Sequence, residues 1–113
     1  MISGSHVVVY TRDADADRAF FRDVLRMPAV DAGGGWLIFA LPPGEVAFHP
    51  ADKDNVHELY LMCDDLSGTI KELEGQGVGR DEPSKEDWGI TTYIHLPGGG
   101  RLRLYQPKHP TTF

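Results

Sequence analysis

The chain has 113 residues, and 11 Lys and Arg against 17 Asp and Glu leave a formal net charge of −6. That length suits one domain whose folding buries about two thirds of the extended chain's surface, enough for a core without staples. The acidic excess is shared by both halves with no basic stripe, which argues against a nucleic-acid partner, and the single cysteine, Cys63, excludes an intrachain disulfide or a Cys-based zinc cluster. The apolar run Val7 to Val9 is far too short for a signal peptide or a membrane span, so a cytoplasmic protein without a membrane partner is expected.

His6 to Tyr10 is β-branched and aromatic and reads as a strand. A helix follows, with Asp13, Asp15 and Asp17 in its first turn and Arg18, Arg22 and Arg26 further along, the order the helix dipole favours. Phe20, Val24 and Met27 form its apolar face and Pro28 stops it. After Gly33 to Gly35, the segments Trp36 to Leu41 and Glu45 to His49 read as an antiparallel hairpin about a Pro42-Pro43-Gly44 turn. The second half repeats this order. Glu58 to Met62 is a strand, Asp64-Asp65 caps a helix carrying Leu66, Ile70 and Leu73, and Gly75 with Gly77 ends it. A charged loop, Arg80 to Asp87, leads to a hairpin of Ile90 to Leu96 and Arg101 to Tyr105 about Pro97 to Gly100. Asp13 with Asp65, and Trp36 with Trp88, share one offset of 52, so the chain is a β-α-β-β-β unit in duplicate, about 5–50 and 56–107, within a single domain spanning 1–113. Two copies must close on each other or on another chain.

Alternate residues of a strand share a face. One parity is aliphatic: Val7 and Val9, Val46 and Phe48, Leu59 and Leu61, Leu102 and Leu104, and this set is expected beneath the helices. The other parity collects His6, Val8 and Tyr10, Glu45, Ala47 and His49, Glu58, Tyr60 and Met62, Arg101, Arg103 and Tyr105. Antiparallel sheets often have one wet face, which is the plain reading of this set; its tyrosines and Met62 are more apolar than a wet face requires and suit a ligand cleft. Glu58 and Arg103 then form either a structural ion pair or a working pair, Arg103 receiving an anionic group and Glu58 acting as general base. Tyr60, Tyr105 and His49 are candidate ligand contacts, and Trp88, beside Gly89 at the mouth of the charged loop, is the better placed tryptophan for stacking on a planar ligand. His95 and His109 read as ordinary surface or strand-end histidines, and the two glycine runs as turns, since neither opens a helix as a phosphate loop does.

The duplicated unit, the His-Val opening, the helix with Ala19-Phe20-Phe21 and Val24-Leu25-Arg26-Met27, the Trp88-Gly89 before the last hairpin, and the Leu96-Pro97-Gly98-Gly99 turn together resemble the vicinal oxygen chelate superfamily of glyoxalases, bleomycin-resistance proteins and extradiol dioxygenases. The resemblance covers about residues 5–107. It implies an α+β fold of two tandem βαβββ modules, curved mixed sheets around a concave cleft with helices on the outer face, a small-molecule site in that cleft, and a homodimer. It also implies a divalent metal held by one ligand on the first and last strand of each module. By position His6 and Glu58 match two of these places, and Ala47 and Arg103 stand at the others, so the set is partial, and no cofactor is assured. An Arg has no lone pair to offer and opposes a cation. His6, His49 and Glu58 would form a two-His-one-carboxylate set if they converged, and a one-residue slip would bring His57 inward in place of Glu58. Two functions stay open: a lyase-type or dioxygenase-type reaction with Glu58 catalytic, or metal-free binding of an antibiotic-like molecule, for which the net negative charge suits a cationic planar ligand. A ferredoxin-like dimeric barrel fits the length but not the final hairpins.

Overall fold

The structure is a computed structural model in which residues 6–45, 47–52 and 55–110 are described. Helix α1 (Ala14–Asp23) starts where Asp13 turns its carboxylate back to accept from the Ala16 N–H at 3.1 Å, and Asp15 and Asp17 follow in its positive first turn. Strands β1 (Ala29–Asp31) and β2 (Leu37–Phe39) then form a small antiparallel hairpin. Strand β3 (Tyr60–Met62) leads to helix α2 (Leu66–Gly75), capped by Asp65, and the chain ends in β4 (Ser84–Glu86), β5 (Gly89–His95) and β6 (Arg101–Pro107).

These last four strands make one sheet in the order β3-β6-β5-β4, with β3 parallel to β6 and the other neighbours antiparallel. Leu102 and Leu104 of β6 and Ile94 of β5 point to one face, where with Leu96 they are buried against Leu66, Ile70 and Leu73 of α2 and Phe20 of α1, while Leu59 and Leu61 pack on the rim of that cluster. Gln106 at the end of β6 accepts from the Leu66 N–H at 2.9 Å, so sheet and helix N-terminus are tied by a hydrogen bond as well as by apolar packing. Helix α1 is moored too: Asp17, only 8 % exposed, accepts from the Gly98 N–H at 2.8 Å, and a side chain at Gly98 would collide with this carboxylate and the Thr11 hydroxyl.

The second β-α-β-β-β unit thus has the expected order and the aliphatic set of β6 lies beneath the helices. The first unit does not. Residues 6–10 form no strand and Val7, Val8 and Val9 are exposed, Tyr10 at 93 %; Phe48, expected in the core, is 91 % exposed, and Val46 lies outside the described residues. A β-branched segment becomes a strand only when a neighbouring edge takes its N–H and C=O groups, and no described segment of the chain supplies that edge. The hairpin in this half also turns elsewhere. Leu37–Phe39 pairs backward with Ala29–Asp31 rather than forward with 45–49, because Gly33, Gly34 and Gly35 all take positive φ and Asp31 accepts from the Gly33 N–H at 2.8 Å, which outcompetes the Pro42-Pro43-Gly44 turn. The two sheets stay separate and no barrel closes among the described residues. The charged loop holds a strand after all, β4 on the edge of the sheet, where Lys and Glu side chains are at ease in water.

Asp81 joins loop to sheet. Its carboxylate meets the His95 ring at 2.8 Å and accepts from Arg101 at 2.7 Å, and the His95 hydrogen bond, ahead of Arg101, holds its pKa below the ordinary aspartate value. A depressed folded pKa stabilises the native state above the unfolded pKa, near 3.9, and that contribution disappears as pH falls through the folded pKa. Urea midpoints between pH 6 and pH 2 should therefore show native protein ahead of Asp81→Asn at the upper end, with the gap shrinking below about pH 4; a gap independent of pH would contradict it.

Candidate functional site

The opposite face of the sheet is set by register. Tyr60 of β3 lies beside Arg103 of β6, which faces Tyr93 of β5; one step along, Met62 neighbours Tyr105, which faces Thr91; at the other end His95 faces Arg101. The Arg103 guanidinium sits between two rings, 4.9 Å from the Tyr60 centroid and 4.7 Å from that of Tyr93. Its Nε donates to the Thr91 hydroxyl oxygen at 3.0 Å, and Thr91 in turn donates to the Leu104 carbonyl at 3.0 Å. Its Nη1 donates to the Tyr93 hydroxyl at 2.7 Å and reaches Glu58 Oε2 at 3.5 Å. The guanidinium plane is therefore fixed mainly by neutral oxygens and aromatic faces.

Next to it lies a ring cluster. Tyr60, Trp88 and Tyr105 meet edge to face at 5.3 to 6.1 Å between centroids, and His109 stacks on Tyr105 at 5.9 Å with its Nε2 3.3 Å from the Tyr105 hydroxyl. Burial raises the pKa of both Tyr60 and Tyr105; Arg103 partly opposes it at Tyr60, and the Glu45 charge adds to it at Tyr105. Both hydroxyls therefore stay protonated well above neutral pH, as donors rather than anions. Arg101 lies 4.2 Å over the Tyr93 ring, its charge answered by Asp81.

Of the residues expected to form a site, Glu58, Tyr60, Trp88, Arg103 and Tyr105 come together. Glu58 rather than His57 makes the Arg103 contact. His6 and His49 are exposed on segments outside the sheet, His49 bonded to its neighbour's Pro50 carbonyl at 2.6 Å, and no hydrogen bond or ion pair joins either to the Arg103 cluster among the described residues. No three His, Cys, Asp or Glu side chains gather in a metal-holding group among the described residues. Thr91, Tyr93 and His109 belong to the cluster without having been singled out. The alternation Thr91, Tyr93, His95 would have revealed the first two had that strand been split by parity; nothing marks His109, which returns to Tyr105 only because the chain turns after β6. Two shallow concavities occur, one of about 360 Å³ lined by Tyr10, Thr11, Arg12 and Gly98 to Gly100, the other of about 540 Å³ lined by Met62, Cys63, Asp64 and Thr69; neither includes Arg103.

No family model and no curated protein matches the sequence. Solved structures do match the fold. A lactoylglutathione lyase from Agrobacterium tumefaciens superposes with a TM-score of 0.67 at 18 % identity over 92 % of each chain. TnmS3, an antibiotic binding protein from Streptomyces sp. CB03234, gives 0.65 at 24 % identity over 96 % of this chain and 100 % of its own. A member of the glyoxalase/bleomycin resistance protein/dioxygenase superfamily from Sphaerobacter thermophilus DSM 20745 gives 0.65 at 19 % identity over 93 % and 98 %. With helices on one face of a mixed sheet, an arginine and aromatic array on the other, and coverage of nearly the whole of each of these chains, this protein has the vicinal oxygen chelate fold of that superfamily.

Proposed function

We propose that the protein binds a small molecule on the face centred on Arg103, with the half-buried Tyr60 and Trp88 as its apolar wall and the buried Tyr105 ring behind them, and that it works as a homodimer. The observation that carries this is the difference between the two faces of one sheet: one is aliphatic and covered by α1 and α2, the other holds a fixed guanidinium, its side chain 21 % exposed, among the half-buried rings of Tyr60, Tyr93 and Trp88, with no described helix packed on it. The dimer is supported by area. A folded chain of 12.5 kDa has about 6,200 Å² of accessible surface, and this one exposes 8704 Å². Part of the surplus is the apolar surface of Val7 to Val9, Tyr10 and Phe48, which a second copy would cover.

Two chemistries are compatible with such a face, and the residues favour binding without a metal. Glu58 is the general-base candidate that the sequence offers, yet its side chain is 58 % exposed in the single chain. Metal-dependent lyase or dioxygenase chemistry does not fit the donors present, because the positive charge of Arg103 stands 3.5 Å from Glu58, the carboxylate that would have to hold the cation. Calorimetric titration with zinc, nickel and manganese tests this: the unmodified protein should show no stoichiometric tight site, and Arg103→Glu, which replaces the cation by a second carboxylate, should gain divalent affinity. Tight binding by the unmodified protein that is lost in Glu58→Gln would overturn the metal-free reading.

A further inference from the structure

We infer that the ligand of this face is a flat aromatic acid, its carboxylate received by Arg103 and the Tyr93 hydroxyl and its ring laid against Tyr60 and Trp88. The inference rests on the reading of this face as the ligand site and adds the ligand's chemical class.

The net charge of −6 favours a cation at long range, but recognition is decided by the groups in contact, and here they differ. Arg101 and Arg103 both lie on the face. Asp81 answers Arg101 at 2.7 Å, whereas the ion pair of Arg103 with Glu58 is long, at 3.5 Å, with its carboxylate largely in water. Such an exposed, stretched pair contributes little and is readily exchanged for another anion. The remaining partners of Arg103, the Thr91 and Tyr93 oxygens and the Tyr60 and Tyr93 rings, leave its charge uncancelled while fixing its plane. A guanidinium held in one orientation has already lost the rotamer freedom that anion binding would otherwise have to remove, which is preorganisation for planar two-point recognition of a carboxylate.

Tyr93 supplies a second donor. Its oxygen accepts from Arg103 at 2.7 Å, which leaves its own proton to give, and no protein acceptor takes that proton among the described residues. Donor and guanidinium thus lie side by side, as the two oxygens of one carboxylate require. The wall beside them is aromatic: Tyr60 lies against both the guanidinium and Trp88, so a ligand whose acid group meets Arg103 carries its ring along Tyr60 toward Trp88, where edge and face contacts favour a flat partner. An aliphatic acid would leave that surface wet, and a flat amine would meet Arg103 with like charge.

The probes are 1-naphthoate, 1-naphthylmethylamine and 1-naphthalenemethanol, titrated into the 113-residue chain by calorimetry and by NMR of the two indole N–H groups. Naphthoate should bind more tightly than the alcohol and the amine least, with the Trp88 signal moving. Arg103→Lys keeps the charge but loses the planar fork and should weaken naphthoate about ten- to a hundredfold. Tyr93→Phe should weaken it less, and Glu58→Gln, which removes the competing carboxylate and is exposed enough to leave folding alone, should tighten it. Amine binding as tight as naphthoate with Trp88 moving, or naphthoate indifferent to Arg103→Lys, would overturn the acid assignment while leaving the face as a site. Failure of all three probes to move Trp88 would overturn the face itself.

Discussion

Leu104→Ala should cost about 2 to 5 kcal/mol of folding stability, the range for truncating a buried leucine, and lower the melting temperature by about 4 to 8 °C for each kcal/mol. Leu104 is 2 % exposed on the middle strand β6 and packs in the cluster of Phe20, Leu66, Ile70, Leu73 and Ile94 contributed by both helices and the sheet. Strands on either side and helices above hold that space open, so the vacated volume collapses little and the cost should lie in the upper part of the range. Lys85→Ala on the exposed edge strand should stay within about 0.5 kcal/mol. Thermal and urea unfolding of the two variants check the assignment of faces; equal effects would mean that the parity of β6 has been misread.

Light scattering should give twice the 12.5 kDa chain mass at micromolar concentration. The exposed surface of 8704 Å² exceeds the expectation for a lone folded chain by about 2,500 Å², and Val7, Val8, Val9, Tyr10 and Phe48 are exposed apolar residues that a second copy would cover. Val8→Lys should shift the mass toward the monomer. Twofold symmetry buries the substituted residue twice, and since Val8 is 54 % exposed in the single chain each copy loses about 0.8 to 1.5 kcal/mol of apolar burial before the cost of the charge, so the dissociation constant should rise at least about tenfold. A mass of 12.5 kDa for the unmodified protein would refute the dimer.

What was legible from residues alone follows the range of the forces involved. Both helices could be read because their signals are local: Asp13 and Asp65 cap within three residues, and Phe20, Leu66, Ile70 and Leu73 recur at helical spacing. The last hairpin was equally plain, since its turn and both strands are contiguous. The segments 6–10 and 45–49 have strand composition, but a strand is a relation between two edges, and composition does not say where the second edge is. The backward pairing of β1 with β2 was missed because two turn signals competed, and three positive-φ glycines outweighed the prolines. In the site, parity suffices to group Tyr60, Arg103 and Tyr105, and the same alternation along β5 carries Tyr93, whereas the approach of His109 to Tyr105 depends on a chain path after β6 that no pattern encodes.

The central claim, that the protein is a homodimer in which residues 6–10 lose their exposure against a second copy, is tested most directly by amide hydrogen exchange at Val7, Val8 and Val9. In the single chain these residues belong to no strand and their side chains are exposed, so isolated chains should exchange rapidly there. At concentrations where the protein is paired, the account expects ladder-level protection of alternate amides in this segment, falling away on dilution together with the light-scattering mass. Rapid exchange of all three amides at high concentration would contradict it.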